Sequence, residues 1–273
     1  MLQPPYPELD DLLKMIGEAG RHLAEIEASE GAAGNISVGF RWTLEPRSRF
    51  PVIDEIELPE PVPELAGASF LVSGSGRRLR EIIDEPTASL AYITVNEGGK
   101  TGRLFTSYQR RFEKVTSEFN SHLAVHHDQM RSSGTNFHAV IHAQPVYLTY
   151  LSHIPRYQDE KYLNTNLLRW QPETIINLPE GIGFIPFRLP GSAELMAANV
   201  ESLRTHRIVV WAKHGVMARS DVSVKRATDR VEYAETAAKY EYLNLCAGGA
   251  GERLSAEEIR AICKTFNVQQ SIF

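Results

Sequence analysis

Two histidines and a glutamate carry most of the chemistry open to this chain. His142 ends an apolar run, FHAVIHA (137–143), and His214 interrupts another, RIVVWAKHGVMARS (207–220). Functional groups collect where strands give way to turns. Neutral imidazole is a zinc ligand, and a catalytic zinc takes three protein ligands and keeps one position open. Gln144 lies two residues beyond His142. Alternate strand residues share a face, so the place beside His142 offers an amide. Spacing alone also allows a blander assignment, two satisfied polar residues at strand ends.

Glu118 follows Thr116 and Ser117, either of which is a good helix N-cap. A carboxylate there serves as a general acid/base near a metal, or simply complements the helix dipole. His122 and His126 lie on the same face, at the i,i+4 spacing that two metal ligands on a helix require. GAAGNIS (31–37) and VSGSG (72–76) are small-residue turns. Their amides and hydroxyls suit a phosphate, and Arg77 and Arg78 follow the second. Neither turn is a P-loop or a dinucleotide fingerprint, and no G-x-S-x-G elbow supports a serine hydrolase.

The elements that must position these groups are legible from periodicity. Leu12, Leu13, Ile16, Leu23 and Ile26 recur at helical steps. ISVGFRW alternates like a half-buried strand, and 44–66 reads as a surface excursion. ASFLVSGSG reads as a strand running into a turn, and GRRLREIID as a helix stopping before Pro86. LAYITV, NEGG and TGRLFTS form a hairpin pattern. A helix from 116 to about 133, the strand 137–143 and a Pro145-led helix follow. A polar stretch then leads to a helix over 191–205, the strand pair around His214, and helices near 221–247 and 255–265. Hairpin-linked strands with helices in blocks predict a mixed α/β fold, one domain spanning 1–273.

Of the 273 residues 42% are hydrophobic and 23% charged, an ordinary globular balance. A net charge of −5 gives no support for a nucleic-acid or anionic-membrane partner. The two cysteines, Cys246 and Cys263, match no zinc spacing and form no disulfide framework. With no signal-peptide pattern and no apolar run long enough for a bilayer, a reducing cytoplasm is expected.

The order of the pieces is more specific than any one of them. GAAGNIS, VSGSG, VTSEFNSH, VIHAQP, PETIINLPEGIGFIPFRLPGS and VVWAKHGVMA follow the order found in class II aldolases. From about residue 10 onward the chain resembles the aldolase/adducin superfamily, nearest the branch that cleaves L-rhamnulose 1-phosphate. The resemblance implies a central, mostly antiparallel sheet covered by helices, and a homotetramer with sites at subunit interfaces. It implies zinc held by His142, His214 and the position of Gln144, where the family has a second strand histidine. A site with this amide there is expected to bind zinc more weakly or to prefer another divalent metal.

It further implies Glu118 and Glu173 as catalytic carboxylates, Glu173 acting across an interface. Phosphate contacts fall on Asn35, Ser73, Gly74, Ser75, Gly76, Thr116 and Ser117. The implied reaction cleaves a ketose 1-phosphate, by way of a metal-stabilised enediolate, to dihydroxyacetone phosphate and a small aldehyde. Gly31 and Ala32 stand where that branch has the first two residues of an R-N-G-G-N motif. The alternatives are a related enzyme with another aldol substrate or with epimerase or decarboxylase chemistry, and a non-catalytic adducin-like assembly module.

Overall fold

A computed structural model describes residues 1–273. Nine strands form one sheet: β1 (Asn35–Phe40), β2 (Val52–Glu57), β3 (Ser69–Ser73), β4 (Leu90–Val95), β5 (Thr101–Thr106), β6 (Phe137–Ala143), β7 (Gly183–Ile185), β8 (Ile208–Trp211) and β9 (Gly215–Ser220). Their order is β2-β5-β4-β3-β1-β6-β9-β8-β7. Every pairing is antiparallel except β7 with β8. This is the mixed α/β architecture, with its mostly antiparallel sheet, that the sequence led us to expect.

The helices are α1 (Leu9–Glu25), α2 (Pro86–Ser89), α3 (Phe119–Ser133), α4 (Val146–Leu151), α5 (Glu160–Leu167), α6 (Pro172–Asn177), α7 (Ala193–Thr205), α8 (Val224–Cys246) and α9 (Ala256–Phe266). Strand alternation splits the sheet's two faces between different cores. Ile36, Val38 and Phe40 of β1 join Phe137, Ala139 and Ile141 of β6 in the larger core, with Leu12, Ile16 and Leu23 of α1 and Val231 and Ala234 of α8. On the opposite face α3 packs over β6 and beside α7. That second face carries Asn35, Ser37 and Gly39 opposite His142, Val140 and His138. Its polar residues belong to the site.

The segment 77–85 differs from the predicted helix, making only a 3₁₀ turn at Leu79–Glu81. It docks on α1 backbone to backbone. A Cβ on Gly20 would lie 2.3 Å from the Leu79 carbonyl oxygen, and one on Gly17 would lie 2.6 Å from Ile83 Cα. Pro86 then holds Glu85 out of the helical region, at φ −132° and ψ 58°. Conversely, the polar stretch after 155 is helical. Asp159 caps α5 by accepting from the Tyr162 N–H at 2.7 Å, and Leu163 and Leu167 are its buried side. Pro145 is the cap of α4, outside its first turn. No helix is long and apolar enough to cross a membrane.

Candidate active site

Three elements bring Glu118, His142 and His214 together. Glu118 is the residue before α3, His142 is next to last in β6, and His214 lies in the turn between β8 and β9. One ligand atom from each lies within 4.8 Å of the others. Glu118 is itself the N-cap of α3, with φ −96° and ψ 14°, which moves the predicted cap from Thr116 or Ser117. Thr116 instead accepts the Glu118 N–H on its hydroxyl at 3.3 Å.

The His142 ring is fixed from both sides. Its Nδ1 donates to the Val216 carbonyl at 2.8 Å, which leaves the Nε2 lone pair free and 3.7 Å from Glu118 Oε2. The Trp211 indole stacks on it with centroids 4.4 Å apart, and Trp211 Nε1 donates to Asn199 Oδ1 at 2.6 Å. A backbone carbonyl on the far ring nitrogen is the usual way a ligating histidine is aimed. The turn that presents His214 places Lys213 at φ 64° and needs Gly215, where a Cβ would lie 2.3 Å from the Ala143 carbonyl oxygen. The same hypothetical Cβ would lie 3.1 Å from Gln144 Cγ and 3.2 Å from His142 Cε1, so the Gln144 side chain lies beside the cluster.

Buried nitrogen without a partner marks the spot. His214 Nδ1 is buried and makes no hydrogen bond. Burial, and then the neighbouring His142, hold the His214 pKa below its ordinary value, while Glu118 pulls the other way. Two imidazoles and one carboxylate suit a divalent cation. The donor set therefore fits a metal, with Glu118, His142 and His214 as the residues that would hold it.

The small-residue turns are arranged differently from the expected amide cradle. Gly74 N–H donates to the Ser89 carbonyl and Ser75 N–H to the Lys114 carbonyl, both at 2.8 Å. Those two amides are consumed within the fold. Phe112 packs so tightly on Gly74 that a Cβ there would lie 2.2 Å from the ring. Ser73 is buried and its hydroxyl accepts the Ile36 N–H at 3.1 Å. The exposed groups in this corner are Ser75, Gly76 and Ser117. Arg77 is tied to Glu81 at 2.8 Å and Ser89 at 3.3 Å, which leaves Arg78 as the more exposed cation.

Glu173 stands exposed near the start of α6, outside the converging cluster. Asn35 starts β1 directly opposite His142, and its Nδ2 donates to Glu118 Oε2 at 2.8 Å. Gly34 precedes it at φ 84°, where a side chain would meet the His142 carbonyl at 2.9 Å. The His122/His126 pair is not a metal pair. Nitrogens of both rings converge on Ser37 Oγ, at 2.6 and 2.7 Å, so a hydroxyl occupies the place a cation would take. Sequence reasoning missed Trp211, Ser37 and His138. For Ser37 and His138 the signal was the period of two that puts Ser37 with Asn35, and His138 with His142, on one face.

Comparison with known proteins agrees with this geometry. The family model described as Class II Aldolase and Adducin N-terminal domain matches residues 14–242. This chain belongs to that family. Among its relatives, the rhamnulose-1-phosphate aldolase of Bacteroides thetaiotaomicron is 27% identical over 266 residues, 96% of each chain. That of Yersinia pestis is 29% identical over 244 residues, covering 88% of this chain and 87% of the relative. A sugar-phosphate aldolase from Thermotoga maritima superposes with a TM-score of 0.73 at 28% identity, covering 88% of this chain and 97% of its own. The fold is also that of an L-fuculose 1-phosphate aldolase, with a TM-score of 0.60 at 19% identity, covering 97% and 100%. Class II aldolases are metal-dependent, in keeping with the Glu118–His142–His214 cluster.

Proposed function

We propose that the chain is a metal-dependent aldolase that cleaves a ketose 1-phosphate of the L-rhamnulose 1-phosphate type, giving dihydroxyacetone phosphate and a small aldehyde. The observation that carries this reading is the convergence of Glu118, His142 and His214 within 4.8 Å, in a chain whose relatives over most of its length include rhamnulose-1-phosphate aldolases. Zinc or another divalent cation, when bound there, supplies Lewis acidity toward the substrate's carbonyl oxygen.

The remaining work falls to the protein. Cleavage breaks the bond between C3 and C4, the C4 hydroxyl gives up its proton, and the electron pair left on C3 is delocalised toward the adjacent carbonyl. Glu118, ionised at rest, takes up a proton from water and delivers it to C3, so it must be held close and in one orientation. Glu173, contributed by a neighbouring subunit of a homotetramer, takes the proton from the C4 hydroxyl. The phosphate is held by hydroxyls more than by amides: Ser75 and Ser117 are exposed beside Thr116, with Gly76 free of side-chain bulk and Arg78 near the same turn. Asn35, Ser73 and Gly74 shape this corner from beneath, through the hydrogen bonds already described.

The test is to measure bound metal in the purified protein and assay cleavage of L-rhamnulose 1-phosphate with added zinc, manganese or cobalt. Turnover that depends on metal is expected. Absence of bound metal together with absence of cleavage under all three additions would overturn the reading.

A further inference from the structure

Beneath the proposed metal cluster runs a column of buried polar side chains with no apparent part in metal binding. Asn35 Nδ2 donates to Glu118 Oε2 at 2.8 Å, and Asn35 Oδ1 meets His122 Nε2. His122 Nδ1 meets Ser37 Oγ at 2.6 Å, and Ser37 Oγ meets His126 Nε2 at 2.7 Å. His126 Nδ1 meets His138 Nδ1 at 2.8 Å. His122, His126 and His138 are fully buried. Gly39 makes room for the column, since a Cβ there would lie 3.2 Å from His126 Nδ1 and 2.5 Å from the Phe70 ring.

The donor order along this column follows from its two ends. With neutral imidazoles, each ring has one N–H and one lone pair, so fixing one bond fixes the next. At the upper end an ionised carboxylate can only accept, which makes Asn35 the donor there and turns its carbonyl toward His122. His122 must then donate from Nε2 and accept at Nδ1 from the Ser37 hydroxyl. Ser37 accepts from His126 Nε2–H, and His126 accepts at Nδ1 from His138 Nδ1–H. At the lower end His138 Nε2 is left as a lone pair, and it is buried without a partner. The reverse order would bury an unsatisfied N–H at that atom and require a protonated Glu118. Buried N–H groups without partners are rarer than unmet acceptors.

We propose that Asn35, His122, Ser37, His126 and His138 form a one-way hydrogen-bond chain whose five bonds all point toward Glu118, and that it positions this carboxylate for proton transfer. The catalytic half of the proposal rests on the aldolase reading; the direction of the chain and its effect on the Glu118 carboxylate do not. Each bond polarises the next, so a break in the middle is felt at the end. These five are positioning residues, since none but Asn35 touches the carboxylate.

The experiment uses the intact protein labelled with nitrogen-15 in histidine and carbon-13 in glutamate, at fixed neutral pH. Expected are neutral Nε2–H tautomers for His122 and His126 and an Nδ1–H tautomer for His138. The opposite assignment at His138 would overturn the proposal, whatever the protein does to a sugar phosphate. Ser37→Ala cuts the chain. The Glu118 carboxylate resonance should move in S37A and return in S37T, which restores a hydroxyl. In the cleavage assay S37A should lose about tenfold in kcat with KM within about twofold, and S37T should recover most of it. An unmoved Glu118 resonance in folded S37A would overturn the proposal. If S37A fails to fold, the wild-type tautomers still decide. Failure of cleavage by the wild-type protein with the expected tautomers and resonance shift would remove the aldolase reading and leave the chain standing.

Discussion

Five histidines lie on or beside one face of the sheet, and they divide into two regions with opposite electrical settings. At the strand ends, His142 and His214 face a carboxylate, and a buried nitrogen of His214 has no partner. Deeper, His122, His126 and His138 bond to a hydroxyl, an amide and each other, with no carboxylate in direct contact. The upper pair has a carboxylate to compensate a cation; the lower three have only neutral dipoles. Burial pushes His138 down to about 3, and holds His122 and His126 well below the ordinary histidine range. Thus one residue type reads as ligand in one region and as neutral scaffold in the other. What separates them is the neighbouring carboxylate, since His142 is itself buried.

The largest expected effect breaks the lower region by acid. A group whose folded pKa is depressed binds protons in the unfolded chain before the folded one. Its stabilisation is present above the unfolded value, near 6.5, and is lost as pH falls toward the folded value, about 3 for His138. The three shifts run in the same direction, so all three lower stability as pH falls below the ordinary histidine range. Urea denaturation at a series of pH values should show stability falling steeply between pH 6 and 4. A flat profile there would mean that the three rings are not neutral scaffold.

The next effect breaks the upper region. Glu118→Gln keeps the volume and an acceptor for Asn35 but cannot carry a proton. Cleavage should fall by about 10³-fold, the range for removing a general acid/base, with the denaturation midpoint close to that of the unaltered protein. Activity within tenfold of wild type would take the proton-transfer role from Glu118. Smaller again, Gln144→His places a third imidazole beside His142 and should raise zinc affinity on the order of tenfold. Equilibrium dialysis against a zinc indicator measures it. Unchanged affinity would mean that the side chain at 144, although beside the cluster, does not point into it.

The two regions were unequally legible in the sequence. The sheet's mostly antiparallel character, the strands around His142 and His214, and the large helices follow from periodicity and motif order, because each is a local pattern repeated over many residues. The convergence of His142 and His214 is non-local, and only the order of motifs hinted at it. The lower region was hidden more deeply. Ser37 looks like an ordinary small polar residue and His138 like the second residue of an apolar strand. Their meeting depends on the Asn35–His142 register of β1 against β6, which a single strand does not display. Whether the Gly74 and Ser75 amides are free for a phosphate was illegible for a related reason. Whether an amide is free depends on partners such as Ser89 and Lys114, remote in sequence.

The smallest expected effect tests whether burial is what makes a histidine of α3 part of the lower region. His127 follows His126 directly on α3, but points outward to Glu64, with Nε2 and Oε2 2.7 Å apart. The Glu64 carboxyl is held below its ordinary pKa, chiefly by that hydrogen bond, yet its side chain is exposed at the surface. Exposed pairs of this kind are screened and cost side-chain entropy to hold. His127→Gln should therefore leave the denaturation midpoint, the acid profile and cleavage unresolved from wild type. His126→Gln, one position earlier, removes a ring that bridges Ser37 and His138 and should destabilise by about 1–3 kcal/mol, the range for leaving buried polar groups unmet. Should the two substitutions destabilise equally, position on the helix rather than burial would govern these histidines, and the assignment of His126 to a buried scaffold would fail.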